Sequence, residues 1–238
     1  MQSTTKFAFL LLVLIACLRG ISGAQGVSVT GRVSAETKAP TINFTVLWLT
    51  PVDPPGIGAR VDPMHAVLRQ KNKSFQPHLL VVTTGSTVQF PNDDPWFHNV
   101  FSLFDGKRFD LGLYEAGTSR TVHFDREGVS YIFCNIHPEM SAVVVVLSSN
   151  YFALPDKQGN YAIAGVPPGH YTLHVWSENV DPSVLLRLAH EVEVSDASHT
   201  VGTIHIPAPP ATAVAHKNKY GQDYEPPSPD NPVYVQQP

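Results

Sequence analysis

Cysteine is scarce in this sequence: the 238 residues hold two, Cys17 and Cys134, too few for a disulfide framework. Charge is sparse as well. Charged residues make up 15% of the chain, 16 Lys and Arg against 20 Asp and Glu for a net −4, and no basic run is present that could follow a phosphate backbone. That leaves no electrostatic case for nucleic acid as a partner. The N-terminal apolar run, Phe7 to Ala16, is too short to span a bilayer as a mature helix. Helical periodicity is missing from every stretch of useful length, and there is no Gly-x-Ser-x-Gly elbow, His-Glu-x-x-His run or His-x-His pair. Disorder throughout is excluded in turn, because 43% of the residues are hydrophobic.

What is present begins with an export signal. Lys6 precedes the apolar run, and Ser22-Gly23-Ala24 offers a small-x-small cleavage site, which reads as a secretory signal peptide over residues 1–24. Leu14-Ile15-Ala16-Cys17 also fits a lipobox, in which Cys17 would carry a lipid anchor. Cleavage at Ala24 removes Cys17 and leaves Cys134 as a lone thiol in an oxidising compartment, where cysteines ordinarily pair. Such a thiol is either a buried structural residue or a thiolate held by a metal.

The surroundings of Cys134 favour the metal. Tyr131–Met140 runs from a strand-like alternation into a short loop where Cys134, His137 and Met140 stand at Cys-x2-His-x2-Met spacing, followed by the apolar run Ala142 to Leu147. A thiolate, two imidazoles and a weak axial thioether suit a copper ion cycling between Cu(I) and Cu(II), since sulfur favours the reduced ion and nitrogen the oxidised one. The second imidazole is His98, after the turn Phe90-Pro91-Asn92-Asp93-Asp94-Pro95; His78 is the alternative. The remaining histidines are scattered without ligand spacing.

A His after an early strand, then Cys, His and Met on one late loop, resembles the cupredoxins, small blue copper proteins such as plastocyanin, azurin and amicyanin, over about Val61 to Leu147. The resemblance implies one type 1 copper bound by His98, Cys134, His137 and Met140. It also implies that Asn99 offers its backbone N–H to the cysteine sulfur and ties the two ligand loops through its side chain. Pro138 would withhold a second donor from that sulfur. The outward edge of His137, flanked by Pro138 and by Pro95 or Trp96, would be the electron entry point, with Trp96 readable equally as core.

Short β-rich runs broken by Gly, Pro and Asp turns predict an all-β chain. The resemblance implies that residues 58–149 form a Greek-key cupredoxin sandwich. Residues 150–206 resemble the carboxypeptidase regulatory-like, transthyretin-like sandwich through Gly165-Val166-Pro167-Pro168-Gly169-His170-Tyr171. The strand pair within 25–57 opens that same module if the copper domain is inserted in it; the alternative gives residues 26–50 to the cupredoxin. Residues 207–238, rich in Pro and without periodicity, read as a disordered tail.

The expected function is electron transfer by an exported, non-enzymatic copper protein with redox-protein partners, in the bacterial periplasm or anchored facing it. Copper binding or delivery without a redox role is the competing expectation.

Overall fold

The computed structural model describes residues 26–36, 40–52, 61–103, 106–208 and 216–224; the expected signal peptide lies outside them. The chain opens with β1 (Val27–Ala35), a 3-10 turn and β2 (Thr45–Pro51). There follow β3 (His65–Val67), β4 (Arg69–Gln70), β5 (Phe75–Gln76), β6 (Leu79–Thr83) and β7 (Ser86–Pro91). Next come β8 (His98–Ser102), β9 (Phe109–Tyr114), β10 (Ser119–Phe124), β11 (Gly128–Cys134) and β12 (Ser141–Leu147). The last group is β13 (Phe152–Ala153), β14 (Asn160–Val166), β15 (Gly169–Ser177), α1 (Pro182–Leu188), β16 (His190–Val194) and β17 (Thr200–Ile206).

The strands sort into two sandwiches. One faces the sheet β6-β12-β11-β8-β9 against β10-β7-β3, and its core holds Val82, Val88, Phe90, Val100, Phe124, Ile132 and Val144 together with Cys134 and Met140. The other faces β14-β1-β17 against β13-β2-β15-β16 around Val29, Val33, Leu47, Leu49, Ile163, Leu173 and Ile206. Among the described residues, β1 and β2 pair only with strands from the C-terminal part of the chain: β1 lies antiparallel to β14 and parallel to β17, and β2 antiparallel to β13 and β15. The chain thus leaves the second sandwich after β2 and returns to it at β13.

A third core joins the two. Val143, Val145 and Leu147 of β12, with Leu79 and Val81 of β6, meet Val46 of β2, flanked by Trp48, Phe152 and Trp176. The alternate residues of β12, Ala142, Val144 and Val146, point into the core that holds Cys134 and Met140 instead. A strand buried on both faces reads as a continuous apolar run rather than an alternation, which is why this stretch is Ala-Val-Val-Val-Val-Leu.

Two elements depart from the sequence expectation. Helix α1 exists, though only 7 residues long: Asp181 caps it by accepting the Ser183 N–H at 2.8 Å, and Pro182 stands at its start, where a missing N–H costs nothing. Residues 216–224, expected to belong to a disordered tail, instead form a turn lying against the loop after β11. Composition alone failed there because Asn218 and Gly221 close that turn locally.

Candidate metal centre

Strand pairing brings the predicted ligands together. His98 begins β8 and Cys134 ends β11, and the two strands are hydrogen-bonded neighbours with Cys134 opposite Val100. The loop from Cys134 to Met140 closes on itself: Met140 N–H donates to the His137 carbonyl (3.0 Å) and Cys134 N–H to the Met140 carbonyl (3.2 Å). Its ends are therefore fixed by the sheet and its middle by its own backbone.

The three nitrogen and sulfur donors form a triangle. His98 Nδ1 and His137 Nδ1 are 3.1 Å apart, and Cys134 Sγ lies 3.8 Å from the first and 3.6 Å from the second. A point about 2.0 Å from all three corners exists, close to the metal–nitrogen and metal–sulfur bond lengths of such donors. Met140 is fully buried and packs in the same core as Cys134. These donors fit a resident ion, and among the described residues this is the one cluster of its kind. His98, Cys134 and Met140 are inaccessible, and His137 is 2% exposed.

Burial sets the protonation of the set. It pushes the Cys134 thiol up, against the N–H groups of Asn99, Ile136 and His137 that point at the sulfur. It pushes His137 down to about 4, helped by the positive potential of His98 and Lys73, and it lowers His98 although Asp94 opposes it. Without metal the site is two neutral imidazoles and a thiol near neutral pH, so uptake of a divalent ion requires the thiol proton to leave.

Asp94 is a functional residue that sequence reasoning missed. Its Oδ2 lies 2.9 Å from His98 Nε2, both groups being buried. The carboxylate also accepts the N–H groups of Asn72 (2.5 Å) and Lys73 (2.8 Å), two residues in left-handed backbone at φ +56° and +51°. Burial raises the Asp94 carboxyl, but the Lys73 N–H, the His98 ring and the Asn72 N–H outweigh it and hold it below the ordinary range. An anion there fixes the Nε2–H tautomer of His98 and leaves Nδ1 facing the triangle.

The other expectations meet mixed outcomes. Asn99 does offer its N–H to the sulfur, but its side chain donates to Asp110 Oδ1 (2.7 Å) on β9 rather than crossing to the Cys134 loop. The link to that loop comes from residues 216–224 instead: Tyr224, His216 and Lys219 contact Cys134, Pro138 and Asn135. Pro138 does not leave the sulfur with a single donor, because Ile136 and His137 supply two more. His137 presents no exposed edge. Trp96 is half-buried with Lys73 Nζ 4.8 Å above its ring. His78 stands apart from the triangle, bonded to the Ser141 carbonyl (3.1 Å) and to Glu178 Oε2 (2.8 Å).

No protein-family model and no curated protein matches the chain. Among solved structures it is similar to a purple cupredoxin from Nitrosopumilus maritimus, at 26% identity over 34% of this chain and 99% of that one, with a TM-score of 0.32. It is similar to amicyanin from Paracoccus versutus at 21% identity, covering 42% of this chain and 97% of that one, with a TM-score of 0.32. A copper-containing nitrite reductase from Thermus scotoductus shares 21% identity over 48% of this chain and 28% of the reductase, with a TM-score of 0.34.

Proposed function

We propose that this chain is an exported type 1 copper protein that passes single electrons between redox proteins and has no substrate of its own. The observation that carries the reading is the buried triangle of two imidazole Nδ1 atoms and the Cys134 sulfur. Two nitrogens and a thiolate, with the thioether of Met140 in the same core, are donors that stabilise both Cu(II) and Cu(I). Copper bound there would supply a one-electron couple.

The chain's own residues do the rest. Asp94 orients His98, and its negative charge favours the more highly charged ion, which lowers the reduction potential. The N–H groups at the sulfur temper its charge and fix its direction. Strand ends and a closed loop hold the donors, so a change of oxidation state requires little movement of the protein.

Delivery of copper to an acceptor would use the same donors. Their burial favours retention: a site that hands its ion on needs at least one ligand an acceptor can reach, and none is more than 2% exposed. Export rests on the leader expected from the sequence, and the periplasm is the compartment that such a leader and a lone thiol would suit.

The test is the visible absorption and EPR spectrum of the protein loaded with Cu(II), beside Cys134→Ser. Intense thiolate-to-copper charge transfer with narrow hyperfine splitting, lost in the variant, is expected. A tetragonal spectrum indifferent to Cys134→Ser would sink the type 1 reading.

A further inference from the structure

The last described stretch of the chain, residues 216–224, has its own internal order. Asn218 Oδ1 accepts the N–H groups of Tyr220 (2.9 Å) and Gln222 (3.0 Å), and Gly221 N–H donates to the Asn218 carbonyl (2.9 Å). Gly221 takes φ +78°, which glycine adopts without a side-chain penalty. Lys217 pairs with Asp223 across the turn.

The turn presents the side chains of Tyr224 and His216, and the backbone N–H of Lys219, to the ligand loop and to β11. The Tyr224 hydroxyl donates to the carbonyl of Cys134 at 2.8 Å. The His216 ring stacks on Phe133 with centroids 4.1 Å apart, and its Nε2 lies 2.7 Å from the Pro138 carbonyl. Lys219 N–H donates to Asn135 Oδ1 (2.9 Å), while its Nζ reaches Asp110 Oδ2 on β9 (2.8 Å). The rings of His216 and Tyr224 meet edge to face at 5.2 Å, so the two grips brace each other.

We propose that residues 216–224 form a clasp on the ligand loop, and that Tyr224 and His216 are positioning residues for the ion held by Cys134 and His137. The two carbonyls they grip, at Cys134 and Pro138, bracket His137. Holding both limits how far the sulfur and the His137 nitrogen, 3.6 Å apart, can separate. The loop's own closing bonds tie Met140 to Cys134 and to His137; the clasp acts on other groups and from outside the sandwich. The proposal rests on the copper reading for the identity of the ion, and not for the coupling between clasp and loop.

Native-state hydrogen exchange on the metal-free, full-length protein tests the coupling. Tyr224→Phe removes one grip, and Asn218→Ala loosens the turn without touching the loop. The amides of Cys134 and Met140 are expected to exchange about ten-fold faster in both variants, the effect of one net hydrogen bond on a local opening. Leu49 N–H, bonded to the Tyr151 carbonyl in the other sandwich, should be unchanged. Unaltered exchange at Cys134 and Met140 in both variants would overturn the clasp.

The positioning role has its own readout. In the Cu(II)-loaded protein, Tyr224→Phe should shift the charge-transfer energy and the hyperfine splitting, whereas Ile163→Val, in the second core, should move neither. Identical spectra for parent and Tyr224→Phe would overturn it. Because exchange is measured without copper, a parent protein lacking the charge-transfer band would fail the copper reading and leave the exchange rates to decide the clasp.

Discussion

Asp94 shows how one charge conditions the site. Asp94→Asn keeps the shape and a hydrogen-bonding group but removes the anion beside His98. Copper affinity should fall about 10–100-fold, the usual effect of losing a partner behind a ligand, and the potential should rise; chelator competition and voltammetry check the two. An unchanged potential would mean that the carboxylate only spaces the turn. The depressed His137 has a consequence in the metal-free protein. Between the ordinary imidazole value near 6.5 and the folded value of about 4, the unfolded chain binds a proton that the folded chain refuses. Stability therefore rises with pH across that window and is lost as pH falls through it. Urea denaturation at pH 7 and pH 5 should show the loss, and His137→Gln should reduce it. Cys134, His137 and Met140 were legible in sequence because three donors share one short loop, and His98 because it follows a strand and turn. Asp94 was not, because an Asn-Asp-Asp-Pro run reads as a turn, and its partners Asn72 and Lys73 reach it only through folding.

At the scale of elements, β12 does the joining. Its alternate residues serve two cores, so Val144→Ala should damage the core around Cys134 and Met140 and Val145→Ala the junction between sandwiches. Each should cost about 2 kcal/mol from lost burial plus the space left behind. Denaturant titration of both variants checks this, and a neutral Val145→Ala would show that the junction is loosely packed. The apolar run of β12 was plain in sequence, as were β6, β7, β8, β10 and β11. Strand β9 went unread because Gly112, at φ +69°, interrupts its pattern. Helix α1 is too short to show a period, although Asp181 before Pro182 marks its start. The clasp escaped because its residues are polar and exposed in composition, and only contact with a distant loop gives them a role.

Across the whole molecule, the two sandwiches share an ion pair as well as an apolar junction. His78, just before β6, meets Glu178, just after β15. The carboxylate raises the His78 pKa against the opposing effect of burial. The stabilisation is therefore complete below the unfolded imidazole value near 6.5 and is lost as pH rises through the higher folded value. Thermal melts of the parent and His78→Gln should differ most at pH 5.5 and converge at alkaline pH; a constant gap would assign the effect to packing against Phe44, whose ring centroid lies 4.5 Å away. The split second sandwich was only half legible: its opening strand pair and its Pro-Gly-x-Tyr turn are visible in the sequence, but nothing local says that β1 must wait for β14 and β17.

That wait orders events in time. Strands β3 to β12 find their partners within one continuous stretch, whereas β1 lies parallel to β17, at the far end of the chain. Contacts between distant segments form late, since the closure of a long loop must come first. During synthesis the sandwich that holds Cys134 has all its strands before β17 exists, and the clasp at 216–224 emerges later still. The site is thus assembled early, built into its frame second and fastened last.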